Sequence, residues 1–172
     1  MKNKYYFTLL KYTLSIVLFL FAKTIYSQHP NDGYNLIKNG GIENSTSSWG
    51  LWTRTGFNAS FQQSSGNKHS GNRSAKVTIT TLGNNSYGVH LYNNGGISVK
   101  SGHSYQASVW IKSSNPNATA KLTFRKNSSP YTLYEEKLIN LNTGWTMYSL
   151  TWDSNNANTS NVRFTIELGS HT

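Results

Sequence analysis

Four segments of this chain alternate apolar and polar side chains with a period of two, and no segment carries a sustained helical period. Successive side chains of a strand point to opposite faces, so each such segment buries one face and leaves the other open. In Ser74–Thr80, Ala75, Val77 and Ile79 share a face, with Lys76, Thr78 and Thr80 on the other. In Ser104–Lys112, Tyr105, Ala107, Val109 and Ile111 point inward and Gln106, Ser108, Trp110 and Lys112 outward. Ala120–Lys126 turns Leu122 and Phe124 inward and Lys121, Thr123 and Arg125 outward. Asn161–Leu168 turns Val162, Phe164 and Ile166 inward and Arg163, Thr165 and Glu167 outward. Further strands are predicted over Asn35–Lys38, Ser86–Tyr92, Ile97–Lys100, Tyr131–Ile139 and Trp145–Trp152. Turn clusters such as Asn93-Asn94-Gly95-Gly96, Ser113-Ser114-Asn115-Pro116-Asn117 and Asn142-Thr143-Gly144 separate them. Many short strands at even spacing predict an all-β fold, a two-sheet antiparallel β-sandwich with jelly-roll topology.

The first 27 residues stand apart. Lys2, Lys4 and Lys11 precede an apolar stretch from Leu14 to Ala22 and a segment ending Ile25-Tyr26-Ser27. This is the layout of a secretory signal peptide, 1–27, with cleavage expected near Ser27–Gln28. The apolar stretch is shorter than the roughly 20 residues a membrane-crossing helix needs. Residues 28–33 read as a short linker and 34–172 as one domain, long enough to bury a core without staples. The chain has no cysteine, so an exported domain of this kind rests on its core and on whatever metal it holds. The leader takes four of the sixteen Lys and Arg, which leaves the domain less basic but still net positive. Those charges are dispersed, which argues against nucleic acid and allows either a solubilising surface or an anionic partner.

The ordered series Asn35-Leu36-Ile37-Lys38-Asn39-Gly40-Gly41-Ile42-Glu43, Trp49, His69-Ser70-Gly71, Ser104–Lys112 and Gly144-Trp145 resembles the CBM4/9-type (CenC-like) carbohydrate-binding modules. The resemblance spans nearly all of 35–168. It implies a galactose-binding-like jelly roll that binds polysaccharide, commonly beside a hydrolase or lyase domain. It also implies a closing strand with one or two aspartates after Gly169, whereas the sequence stops at Thr172; either the sequence is cut short there or the protein departs from the family pattern at that strand and acidic ligand. By the same resemblance a structural Ca²⁺ would be held by the Gly41 carbonyl, the Glu43 carboxylate and a carbonyl of the loop beginning at Lys68. Calcium takes six to eight oxygens, many of them backbone carbonyls, so these donors suit it. Trp145 and Tyr105 match packing positions of the family, and Trp49 is expected beneath the first turn.

Sugar rings have apolar faces, and their sites pair flat aromatics with polar side chains. Candidate carbohydrate-binding residues are Trp52, Tyr87, Tyr92, Trp110 and Tyr131, with Tyr134 a further aromatic and Arg125 a fork for a uronate or sulfate. Each also has the simpler reading of an exposed surface residue, and Trp110 that of a residue covered by a loop. In the family an Arg-x-x-x-Trp segment often precedes the strand that Tyr87 opens. Here Thr80–Tyr87 keeps an aromatic and replaces the arginine.

No catalytic residues are assigned. A glycosidase needs two carboxylates facing across a sugar, and the acids here are few: Asp32, Glu43, Glu135, Glu136, Asp153 and Glu167. Glu135 and Glu136 are adjacent on a strand and point to opposite faces. His90 and Tyr92 share a face, the one trace of a lyase arrangement. The expected function is a secreted or cell-surface, non-catalytic module that targets a degrading enzyme to its polysaccharide, with an acidic one favoured, as a monomer or linked to a catalytic domain. The alternatives are a small polysaccharide lyase or hydrolase, and a surface adhesion or assembly domain.

Overall fold

The structure is a computed structural model, and it describes residues 35–169 apart from 84 and 156–158. The signal-peptide and linker expectations for 1–33 and the chain end after Gly169 lie outside the described residues. Ten strands follow one another: β1 (Trp49–Thr53), β2 (Asn58–Ser64), β3 (Ser74–Thr81), β4 (Val89–Asn93), β5 (Ile97–Val99), β6 (Ser104–Ile111), β7 (Thr119–Lys126), β8 (Leu133–Asn140), β9 (Thr146–Asp153) and β10 (Thr159–Glu167). Among the described residues one helical element appears, a 3-10 turn at Ser86–Gly88. A six-stranded antiparallel sheet runs β1-β4-β10-β7-β8, with β5 also paired to β10. Two antiparallel ladders, β2–β3 and β6–β9, complete the sandwich.

The alternation sets which side chains meet between the layers. Leu91, Leu122, Phe124, Val162, Phe164 and Ile166 of the large sheet are buried with Ala107, Leu150 and Trp152 of the β6–β9 ladder. Trp152 is the hinge of this packing. Its ring stacks on Tyr134 at 4.9 Å and lies 5.7 Å from Phe124 and 6.1 Å from Tyr105. Tyr105 thus packs as expected, and its hydroxyl accepts from the Lys100 amide at 2.9 Å. Leu122 and Val162 are wholly buried, and truncating such a side chain to Ala costs about 2–5 kcal/mol.

Three expectations need correction. Residues 35–38 are not a strand but the start of a turn. The Asn39 side chain donates to the carbonyls of Asn44, Ser45 and Ser47 and accepts from the Asn44 amide, giving the backbone a local alternative to a ladder. The Trp49 indole also donates to the Asn39 carbonyl, at 3.0 Å, which fixes it beneath this turn. Second, the strand predicted from Ser86 begins only at Val89, because Asn85 caps the 3-10 turn by accepting from the Tyr87 amide. Third, Trp145 lies outside the core, before β9, edge-on to His69 at 6.1 Å and under Lys112. Strands β1 and β2, absent from the sequence prediction, fill the interval 49–64.

Candidate functional site

The outer face of the large sheet, away from the core, is polar yet buried along its middle. Strand register lays three rows across it. The first runs Trp52, His90, Glu167, Lys121, Leu138, and the second Gly50, Tyr92, Thr165, Thr123, Glu136. The third runs Arg163, Arg125, Leu133. His90, Thr123, Thr165 and Glu167 are buried, whereas Trp52, Leu133 and Leu138 on the outer strands are exposed. A buried polar middle between exposed edges makes a trough floored by β4, β10 and β7.

Aromatics stand at both ends. Trp52 lies 5.1 Å and Tyr87 6.5 Å from the His90 ring, centre to centre. Arg54 donates to the Tyr87 hydroxyl at 2.8 Å. The Asn85 side chain and then the Arg54 charge hold the Tyr87 phenol below its ordinary pKa. At the other end the Arg163 guanidinium lies 4.6 Å over the Tyr92 ring and 5.5 Å from that of Tyr131. Tyr92 lies across Gly50, where a Cβ would come within 2.5 Å of its ring, so the sequence has glycine there. Tyr131 is half exposed and has a left-handed φ of 56°, an uncommon conformation for a bulky residue.

The charges between these ends are partly paired. Arg125 donates to Glu167 through Nη2, and Lys121 meets Glu136 at 2.9 Å. His90 Nε2 lies 3.9 Å from Glu167 Oε1. Burial first, and then the Arg125 and Arg163 charges, lower the His90 pKa to about 4, so the ring is neutral at neutral pH. Burial raises the Glu167 carboxyl, and Arg125 opposes it. Burial followed by the Arg125 charge also lowers Arg163. Among the described residues, His90 Nε2, Thr165 Oγ1 and Arg163 Nε are buried without a hydrogen-bond partner, and all three belong to this face. Buried polar atoms are rarely left so, and here three of them lie on one surface.

Of the six residues predicted to bind carbohydrate, the fold brings five, Trp52, Tyr87, Tyr92, Arg125 and Tyr131, to the trough. Trp110 lies instead on the outer side of the β6–β9 ladder, across from Met147, with His69 stacked on it at 3.8 Å. Tyr134 faces the core. Arg125, expected as a fork for a ligand, is engaged by Glu167. Sequence reasoning missed the binding potential of His90, Thr165 and Arg163. The outward parity of Arg163 and Thr165 was visible, but nothing showed that β10 runs between β4 and β7.

The residues expected to hold Ca²⁺ form a second place of interest. Glu43 Oε1 accepts from the amides of Asn72 and Arg73 at 2.9 and 3.3 Å, so its carboxylate ties the first turn to the 68–73 loop. A Cβ on Gly71 would lie 2.1 Å from that oxygen. Among the described residues no three His, Cys, Asp or Glu side chains gather as a metal cluster. The residues therefore suit a hard cation only through Glu43 and backbone carbonyls.

The fold has counterparts among known proteins. The family model of a carbohydrate binding domain, CBM4/9, matches residues 34–172. The chain belongs to this family. A solved CBM4 structure shares 20% identity over 79% of this chain and 90% of that one, with a TM-score of 0.63. A family 16 carbohydrate-binding module shares 17% identity over 80% of this chain and 92% of that one, at a TM-score of 0.54. The CBM22-1 and GH10 modules of Clostridium thermocellum endo-1,4-β-D-xylanase 10B, solved with xylohexaose, share 17% identity over 77% of this chain and 25% of that one, at 0.56. At such identities these structures show the fold of the CBM4/9 chain. No curated protein matches it. Membership gives the chain a carbohydrate-binding function, and the β-sandwich expected from alternation is the fold it has.

Proposed function

We propose that this chain is an exported, non-catalytic module that binds a polysaccharide along the trough and brings a degrading enzyme to it. One observation carries the reading: a floor of buried polar groups with unpartnered atoms, His90, Thr165 and Arg163, lies between aromatic ends formed by Trp52 with Tyr87 and Tyr92 with Tyr131. Flat rings take the apolar faces of sugars, and fixed polar groups take their hydroxyls. Tethering to a substrate raises the local concentration of an attached enzyme without a new catalytic contact. The cations Arg54, Lys121, Arg125 and Arg163 outnumber Glu136 and Glu167 on and beside the trough, which favours an acidic polysaccharide over a neutral one. A structural Ca²⁺ belongs to the same proposal, held by Glu43 and the carbonyls of Gly41 and Lys68, where it would tie the first turn to the loop.

Hydrolysis by a carboxylate pair is disfavoured, because Glu167 and Glu136 are each engaged by a cation. A lyase reading draws on Tyr87, held below its ordinary pKa beside Arg54, and on the nearby His90. One experiment separates the two. The purified protein should be retarded in native gels containing an acidic polysaccharide and release neither reducing ends nor unsaturated products. Steady release of unsaturated product would replace the binding module by a lyase.

A further inference from the structure

The charge of the trough is unevenly settled. Arg163 and Arg125 are direct cross-strand partners in the ladder between β10 and β7. Like charges placed so are destabilising unless an anion joins them. Glu167 serves Arg125. Arg163 has no carboxylate within ion-pair distance among the described residues. Its polar contact is weak, with Nη1 donating to Asn127 Oδ1 at 3.4 Å, and its Nε is buried without a partner. The side chain is partly buried, and its guanidinium lies close to the rings of Tyr92 and Tyr131. Glu167 acts on it only from beyond ion-pair distance, and a half-buried cation so weakly balanced is expensive. A planar fork beside two aromatic rings, with no carboxylate paired to it, suits a planar anion that takes two parallel hydrogen bonds.

We infer that Arg163, clamped by Tyr92 and Tyr131, is a subsite for the carboxylate of a uronic acid residue. The inference rests on the binding reading above and narrows it. Arg125 is then a positioning residue. Its charge is consumed by Glu167, and it holds the floor of the trough rather than meeting ligand. The two tyrosines have a double use, orienting the guanidinium and offering ring surface to the sugar that bears the carboxylate.

The test crosses a protein change with a ligand change. Binding of polygalacturonate, of fully methyl-esterified polygalacturonate, of a sulfated galactan and of neutral xylan is measured by calorimetry for wild type, R163Q and R163K. Wild type should prefer polygalacturonate, and R163Q should weaken that binding by about 10- to 100-fold, the range for a lost hydrogen-bonded charge pair. R163Q should lose far less on the esterified polymer than on polygalacturonate, because the charge Arg163 reads is already gone. R163K should restore only part of the loss, since an ammonium lacks the fork. Thermal melting shows that the variants fold. R163Q removes a cation facing Arg125, so its melting temperature should not fall, and R163K carries the test if it does. Equal binding of polygalacturonate by wild type and R163Q overturns the inference while leaving the binding module intact. So does a preference of wild type for the sulfated or the neutral polymer. Failure of wild type to bind any of the four overturns the functional reading and the inference with it.

Discussion

Two outward faces of this molecule carry exposed aromatics, and they are built on opposite principles. On the β6–β9 ladder, Gln106, Ser108, Trp110, Met147 and Thr151 point away from the core and stay in solvent. His69 covers one side of Trp110, and Lys112 spends its charge on Asn67 at 2.9 Å. On the large sheet the outward residues His90, Thr123, Thr165 and Glu167 are buried, although they are polar. Burying polar groups outside the core costs free energy and gains nothing in packing. The trough and the ladder thus differ less in aromatic content than in what lies beneath the rings. On the proposed reading the buried polar floor meets the ligand, whereas the exposed tryptophan of the ladder only offers area.

The sharpest way to break this comparison is to remove a floor residue. Glu167→Ala should destabilise the fold by about 3–5 kcal/mol in urea titration, because it leaves the partly buried Arg125 unpaired beside Arg163. Lys112→Ala on the ladder face should cost under about 1 kcal/mol, as its contacts are near the surface. Equal losses in the two variants would mean that the floor is no more committed than the ladder.

Acid titration tests the same floor without a mutation at Glu167. The unfolded chain takes up a proton at His90 around 6.5, but the folded chain does so only at about 4. Between these values the unfolded state binds more protons, so stability falls as pH drops from 6.5 to 4. His90 contributes at most about 3 kcal/mol to that loss. Glu167 has the opposite sign. Its folded pKa is raised, so its protonated form favours the native state, and that contribution is lost as pH rises through the raised value. His90→Gln should therefore flatten or reverse the slope of melting temperature against pH between 6.5 and 4. An unchanged slope would place the acid sensitivity elsewhere.

The contrast between the faces also shows what the sequence could and could not reveal. Strict alternation foretold the inward set Leu122, Phe124, Val162, Phe164 and Ile166, because burial of one strand face is a local pattern. It marked Arg163, Thr165 and Glu167 as outward with equal success, yet outward suggested exposed, and Thr165 is wholly buried. That burial depends on neighbours far apart in sequence, Tyr92 and Thr123, brought to either side of Thr165 only by the strand order. Side-chain capping was equally hard to see. Asn39 and Asn85 turn apparent strand sequence into turns through bonds that no periodicity records. The candidate aromatics fared better. A tyrosine such as Tyr87 or Tyr131 at a strand end is noticed without knowing its partners.

Ring contacts at the ends of the trough should matter less to folding than the floor and more to binding. Tyr87→Ala and Tyr131→Ala should each weaken polysaccharide binding by about 1–3 kcal/mol, as loss of one aromatic contact does. Both side chains are largely exposed, so melting temperatures should hardly move. Unfolding with only a proportional loss of binding would make these rings structural and would shift recognition to the floor.

The smallest effect is expected at Trp110, and it is the one that decides whether the ladder face is idle. Its ring is 44% exposed, more than enough for a sugar to touch. However, His69 occupies one face of the indole, and the outward neighbours Ser108, Ser149 and Met147 supply no charge and no buried polar atom. Trp110→Ala should leave binding to polygalacturonate within about twofold of wild type, since a rim contact without a dehydrated pocket contributes little. It should lower stability by about 0.5–1.5 kcal/mol through loss of the stacking partner of His69. A tenfold fall in affinity with an unchanged melting temperature would reverse the comparison. It would make the ladder a second sugar platform and show that an exposed tryptophan can bind without a polar floor beneath it.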